Sequence, residues 1–388
     1  MAEPDEIYQF LTAVFAGRND QIYDIEILPP GFGPLLSDGT NIGITKRALV
    51  QAFLIARRIF FDSIKNSSLS GCAGNVGELS RQEDVRLKVA SEIMLLFDSE
   101  HLTACNWRKR TLHILKDSQL PDRYIRALRE EVSFTTILLR SPLHRHAKSP
   151  TLWHHRYWVM TEAFRLGPGH VNSIILSSCD AASGPLDADD MAISEKLFQH
   201  ELAVTLRAGE QHHMNYYAFS YLRQFLGILR CFLNGYSFQP NDDLSRLKSD
   251  GISNEIADSD ITSRLLQPLR KGLLEEIHKW CLSHPRDISG WTFLLHLLEL
   301  VDDAPVQTAI VEKTVRYAFD VAWEGEALWV FVSLSISKFS IDFDGLFLVD
   351  YKEIRHEINK PAHATHIHRP WTELAARVKA RPSKDIES

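Results

Sequence analysis

The feature that most constrains this chain is a helical signature that returns several times, an aromatic residue with a basic residue three positions later. Its clearest copy is Trp153-His154-His155-Arg156, inside SPTLWHHRYWVM, and a fainter one surrounds Cys105-Asn106-Trp107-Arg108-Lys109. Decayed copies centre on Phe219, Trp291 and Trp329. A unit that recurs in this way points to a stacked array, because one unit cannot bury its apolar face alone. Positions i and i+3 share a helical face, so Trp153 and Arg156 are neighbours. The indole can wedge between its own helical hairpin and the next, and its burial is worth about 2–3 kcal/mol. The arginine has two readings. Its stem can lie along that apolar surface with the guanidinium on a carboxylate or free helix-end carbonyls. Alternatively, Arg108 and Arg156 form a basic concave surface that meets a diphosphate or an acidic peptide.

From Glu83 onward the periodicity predicts pairs of helices. Val85, Val89, Ile93, Leu96 and Phe97 form the stripe of the first helix, whose partner runs from about Thr103 to Leu115. Pair two starts after Pro121 and continues through Ser149-Pro150, an N-cap followed by proline at the first helical position. Pair three is Met191–Leu206 with Asn215–Leu233, pair four about Pro268–Cys281 with Ser289–Val301, and pair five Val306–Trp323 with Glu326–Ile336. The expected fold is therefore all-α, a right-handed superhelix of about five α-α hairpins over residues 81–340. An N-terminal segment with one or two helices occupies residues 1–80, and a polar tail 341–388. Strands are scarce; Ile22–Leu28 alternates weakly and reads as extended chain.

Taking Cys105, Trp153, Phe219, Trp291 and Trp329 as equivalent gives spacings of 48, 66, 72 and 38. A strict tetratricopeptide solenoid holds a period of about 34. The irregularity comes from polar insertions at 167–190 and 238–263, which belong on loops. In the later units the basic position becomes Leu222, Leu294 and Val332.

Composition narrows the function classes. Net charge is −7, which argues against a broad nucleic-acid surface. Five scattered cysteines without a CxxC pair fit a reducing compartment and argue against a structural zinc site. Neither a secretory leader, a membrane span nor a lipidated C-terminal Cys is expected, so the chain reads as cytoplasmic. No GxSxG, HExxH or P-loop occurs, and no catalytic residue is assigned. Gly31-Phe32-Gly33-Pro34 lacks the rest of a dinucleotide fingerprint. His356, His363, His366 and His368 have chelating spacing but sit in an irregular polar tail. His144-Arg145-His146-Ala147-Lys148 is a short basic loop between helices that reads first as solvated, with contact to an acidic partner as the alternative.

The pattern resembles the α-subunit repeat of protein prenyltransferases, whose units read roughly Asn-Tyr-x-x-Trp-x-x-Arg. Asn215-Tyr216-Tyr217-Ala218-Phe219, Trp153-x-x-Arg156-Tyr157-Trp158 and Ala104-Cys105-Asn106-Trp107-Arg108-Lys109 carry the resemblance. The segment Asp24-Ile25-Glu26-Ile27-Leu28-Pro29, then Asn41-Ile42-Gly43-Ile44 before a helix through Phe60, is similar to a divergent branch of that family. The resemblance implies a crescent of hairpins wrapping a β subunit that supplies the zinc and most of the prenyl diphosphate pocket. No cofactor is then expected in this chain. The divergent branch implies a Rab-type β subunit and geranylgeranyl transfer to an already lipidated SNARE, a protein substrate with a C-terminal Cys. One position departs from the family: Met214 stands where the farnesyltransferase α subunit has a lysine that reaches the diphosphate. Asn215 and Tyr216 match and are the candidates for the α/β interface, with His212 and His213 as possible substitute donors. The competing readings are a non-enzymatic, tetratricopeptide-like adaptor for helices or peptide tails, and a Rab-escort-linked chaperone.

Overall fold

The computed structural model describes residues 4–18, 21–69, 78–118, 120–143, 145–176, 190–233, 272–301 and 303–341. They fall in two compact units, Met1–Ser253 and Asn254–Ser388. The tail histidines and the 238–263 insertion lie outside the described residues.

In the first unit, helix α1 (Pro4–Ala16) packs on α2 (Lys46–Leu69) and on α3 (Glu78–Phe97). The N-terminal segment thus forms a layer against the array. Between α1 and α2 the chain builds a sheet that the sequence reading did not foresee. Strands β1 (Asp24–Leu28), β2 (Leu35–Asp38) and β3 (Asn41–Thr45) lie in the order β1-β3-β2, with β1 parallel and β2 antiparallel to β3. Gly39, with φ of 58°, makes the tight β2–β3 turn. At Gly43 a Cβ would come within 2.6 Å of the Leu28 side chain, so glycine is what lets β1 close on β3. The Ile25 N–H donates to Ser141 Oγ at 2.9 Å, which ties the sheet to the end of a helix of the array.

Three hairpins follow: α3 with α4 (Leu102–Asp117), α5 (Pro121–Arg140) with α6 (Pro150–Arg165), and α8 (Asp190–Gln211) with α9 (Tyr216–Leu233). Val89, Ile93 and Leu96 are buried as their spacing predicts, whereas Val85 at the stripe's start is 52% exposed. Residues 167–190, expected as loop, contain helix α7 (Pro168–Ile175). Its Val171, Ile174 and Ile175 are buried, enough apolar contact to order a segment whose flanks read as polar. Gly167, with φ of 83°, allows the reversal between α6 and α7.

The second unit contains a helix over 272–283 (α10), then α11 (Ile288–Val301), α12 (Ala304–Asp320) and α13 (Glu326–Phe339). Helices α11 and α12 both pack on α13. Cys105, Trp153, Phe219, Trp291 and Trp329 each occupy the fourth residue of their helix, and all five are buried. Variable insertions upset the spacing along the chain but leave this register intact.

Candidate partner-facing site on the hairpin turns

The basic half of the signature points inward. Arg156 is fully buried and grips Glu201 of the following hairpin in a two-pronged pair, Nε to Oε2 at 2.8 Å and Nη2 to Oε1 at 2.7 Å. Its Nη1 donates to the hydroxyls of Thr135 and Thr136, both at 2.9 Å. Tyr221 donates its hydroxyl to the same Glu201 carboxylate at 2.5 Å. Arg108 repeats the arrangement one hairpin earlier, with Nε to Glu131 Oε1 at 2.8 Å and Nη2 to Oε2 at 2.5 Å. Its guanidinium also lies over the Phe134 ring, 4.4 Å from the centroid. Arg18 reaches Glu92 at 2.9 Å, and Arg108 touches the same carboxylate at 3.3 Å.

Burial alone would raise the Glu131 and Glu201 carboxyls. The arginine on each, with His155 and His200 respectively, outweighs it and holds both well below the usual carboxylate range. Burial lowers the His155 imidazole in spite of its 2.6 Å contact with Glu131, so the ring donates as a neutral Nε2–H. In this structure the two arginines of the signature therefore join hairpin to hairpin, and neither offers its guanidinium to a surface. The sequence carries a signal for this. Glu131 is three residues from both Leu128 and Phe134, and Glu201 three residues from both Phe198 and Val204. A carboxylate on an apolar stripe requires a buried partner.

The aromatic half has its own repeated contact. Each signature tryptophan donates its indole N–H to the carbonyl six residues earlier: Trp153 to Ala147 at 2.8 Å, Trp291 to Pro285 at 3.1 Å, Trp329 to Trp323 at 2.9 Å. Each bond pins the turn that enters the second helix. Trp153 then packs on Tyr221, with centroids 5.0 Å apart, and Trp291 on Phe331, 4.9 Å apart. The stacked residue in each case lies two positions past the signature residue of the next hairpin. Trp107, which outshines Cys105 in the sequence, is half-buried and meets Phe60 edge-to-face instead.

Asn215, a candidate for the α/β interface, is fully buried within the chain. Its Oδ1 accepts from the Ala218 N–H at 3.2 Å and caps α9; its Nδ2 donates to Ala147 O at 2.5 Å and Ala208 O at 3.3 Å. The Ala147 carbonyl thus takes both Trp153 and Asn215 and locks two turns together. That lock presents the neighbours of Asn215. Met214, with φ of 55°, is 39% exposed, and Tyr216 and Tyr217 project beside it. Beside this turn lies a half-open cavity of about 1000 Å³, whose lining includes His212 and Tyr217, the α3–α4 turn, the 142–150 turn and the start of α2. Lys46, Arg145 and Lys148 stand on its wall. Nothing in the sequence periodicity linked Lys46 to the basic loop; the sheet folds it there.

Phe198 to Leu229, the core of the third hairpin with its Met214-Asn215-Tyr216 turn, matches the family model of the protein prenyltransferase alpha subunit repeat. Over these residues the third hairpin is similar to a prenyltransferase α-subunit repeat. No curated protein matches the chain. The match covers one repeat, and the fourth-residue register places the signature positions of the other four hairpins alike. Among the described residues, no group of three His, Cys, Asp or Glu converges so as to hold a metal, and no helix is long and apolar enough to cross a membrane.

Proposed function

We propose that this chain is the α-type subunit of a heterodimeric protein prenyltransferase, scaffolding a catalytic β subunit that transfers a geranylgeranyl or farnesyl group to a C-terminal Cys of a protein substrate. The observation that carries this reading is the prenyltransferase repeat at 198–229, whose turn buries Asn215 and projects Met214 and Tyr216. On this reading, zinc and prenyl diphosphate belong to the partner, a Rab-type β subunit, and the assembly works in the cytoplasm. Met214 has no charge with which to stabilise a leaving diphosphate, so this chain's part is to hold and orient rather than to neutralise. Co-expression with a Rab-type β subunit tests the reading. A stable pair should move label from geranylgeranyl diphosphate to a cysteine-tailed protein, and neither chain should do so alone. A pair that forms but transfers nothing to any such substrate sinks the transferase reading. The adaptor reading would then stand, favoured by Met214 itself and by the cavity beside it.

A further inference from the structure

The basic loop singled out in the sequence and the cavity it overhangs are not accounted for by a scaffolding role. We propose that this cavity docks an acidic, extended peptide segment of a protein partner. Its rim carries Lys46 from the start of α2 with Arg145 and Lys148 from the α5–α6 turn. Among the described residues, none of the three has an ion-pair partner. Two carboxylates share the wall and take only neutral donors: Asp98 Oδ1 accepts the Glu100 N–H at 3.1 Å, and Glu100 Oε2 accepts from Thr151 Oγ1 at 2.5 Å. Three cations thus face two carboxylates, an excess of one positive charge at the cavity on a chain whose net charge is −7.

The loop is also held in place before anything binds. His146 donates Nε2–H to Leu95 O at 2.9 Å, and Ser149 donates to Ser99 O at 3.1 Å. Ala147 O is fixed by Trp153 and Asn215 as described. Burial pushes the His146 imidazole down to about 4, so that ring is a neutral anchor and the loop's charge rests on Arg145 and Lys148. A fixed rim spares the ordering cost that long cationic side chains on a mobile loop would impose. Ile27, Leu49 and Leu143 give the interior an apolar floor. At about 1000 Å³ the cavity is at the upper end of the small-ligand range, room enough for a few residues of a peptide. The fitting ligand alternates carboxylates, which meet the rim, with apolar side chains, which meet the floor. This site belongs to the first unit alone and does not depend on the transferase reading.

Fluorescence anisotropy of a labelled peptide alternating Glu and Leu, titrated with the purified full chain, tests the proposal. The peptide should bind saturably and weaken as salt rises, and its Gln-for-Glu twin should bind about tenfold more weakly or worse. Arg145→Glu with Lys148→Glu should cost at least about tenfold, whereas Arg316→Glu, on the second unit, should change nothing. If the double variant melts early, Lys46→Glu reads the same effect from a different element. Equal binding of the two peptides, or full binding by the charge-reversed variants, overturns the proposal. So does saturation of the rim by inorganic pyrophosphate while the peptide stays silent, which marks a small-anion site.

Discussion

The hairpins of the first unit and those of the second share one frame and differ in what fills it. Trp153 and Trp291 both sit at the fourth helical residue, both pin the preceding turn through the indole N–H, and both pack on an aromatic ring of the next hairpin. In the first unit the space beside that frame holds Arg108–Glu131 and Arg156–Glu201. In the second, the signature's basic position is Leu294 or Val332, both fully buried, and the nearby polar contact is neutral, His278 to Thr314 Oγ1 at 2.9 Å. Ion pairs such as Arg316–Glu312 and Lys313–Glu275 lie there between half-exposed side chains. The frame is therefore a property of the repeat, and the ionic interior is dispensable to it. A buried ion pair adds little net stability over an apolar filling, yet half of one is costly. Its use in the first unit is geometric: a two-pronged Arg–Glu contact has a single register, which aligns the turns that build the cavity.

The largest effects should come from breaking the ladder on one side only. Arg156→Ala should lose about 3–5 kcal/mol in denaturant unfolding, because Glu201 is left charged and buried. Replacing both Arg156 and Glu201 by Leu, as the second unit does at Leu294, should stay within about 2 kcal/mol of the parent. A double variant as weak as the single one would show that the two interiors are not interchangeable. Trp153→Ala and Trp291→Ala should each cost about 3–5 kcal/mol through the cavity left behind. A large difference between them would break the claim of a shared frame.

Acid should act next, and in both units, because the first unit's His146 is held down to about 4 by burial as His278 is in the second. Burial, helped by Lys313, lowers the His278 imidazole to about 4, so the unfolded chain takes up this proton first as pH falls. The stability it supplies is whole above pH about 6.5 and drains between about 6.5 and 4, by at most about 3 kcal/mol. His278→Gln should remove the second unit's share of that slope and leave the share that His146 supplies in the first. Glu131 and Glu201 act lower down: their contribution is whole above the unfolded value near 4.5 and is lost as pH falls beneath it. The Leu double variant should lose part of that lower slope and keep the upper one. The smallest effect isolates a single hydrogen bond. Trp291→Phe strips the Pro285 carbonyl of its indole donor and should cost about 1–3 kcal/mol. The same change at Trp153 should cost less, since Ala147 O keeps Asn215.

Much of the frame was legible in the chain. Ser149-Pro150 reads as a helix start, and Ser149 Oγ indeed accepts the Leu152 N–H at 3.1 Å. The order of hairpins and the aromatic positions followed from local periodicity. Other features were not legible, for one reason in three forms. The sheet depends on β1 pairing with a strand that begins 13 residues beyond its end, with only weak alternation in either. Helix α7 is ordered by what it packs on. The arginines pair across 23 and 45 residues, distances that no helical period records.

By itself the sequence determined where helices begin, which faces are apolar and which position carries the wedge, since each depends on neighbours within one or two turns. Only the tertiary structure decided that Arg108, Arg156 and Asn215 turn inward while Met214, Arg145 and Lys148 remain outside. A charged or amide side chain goes wherever a partner makes its burial affordable, and that partner is supplied by another hairpin.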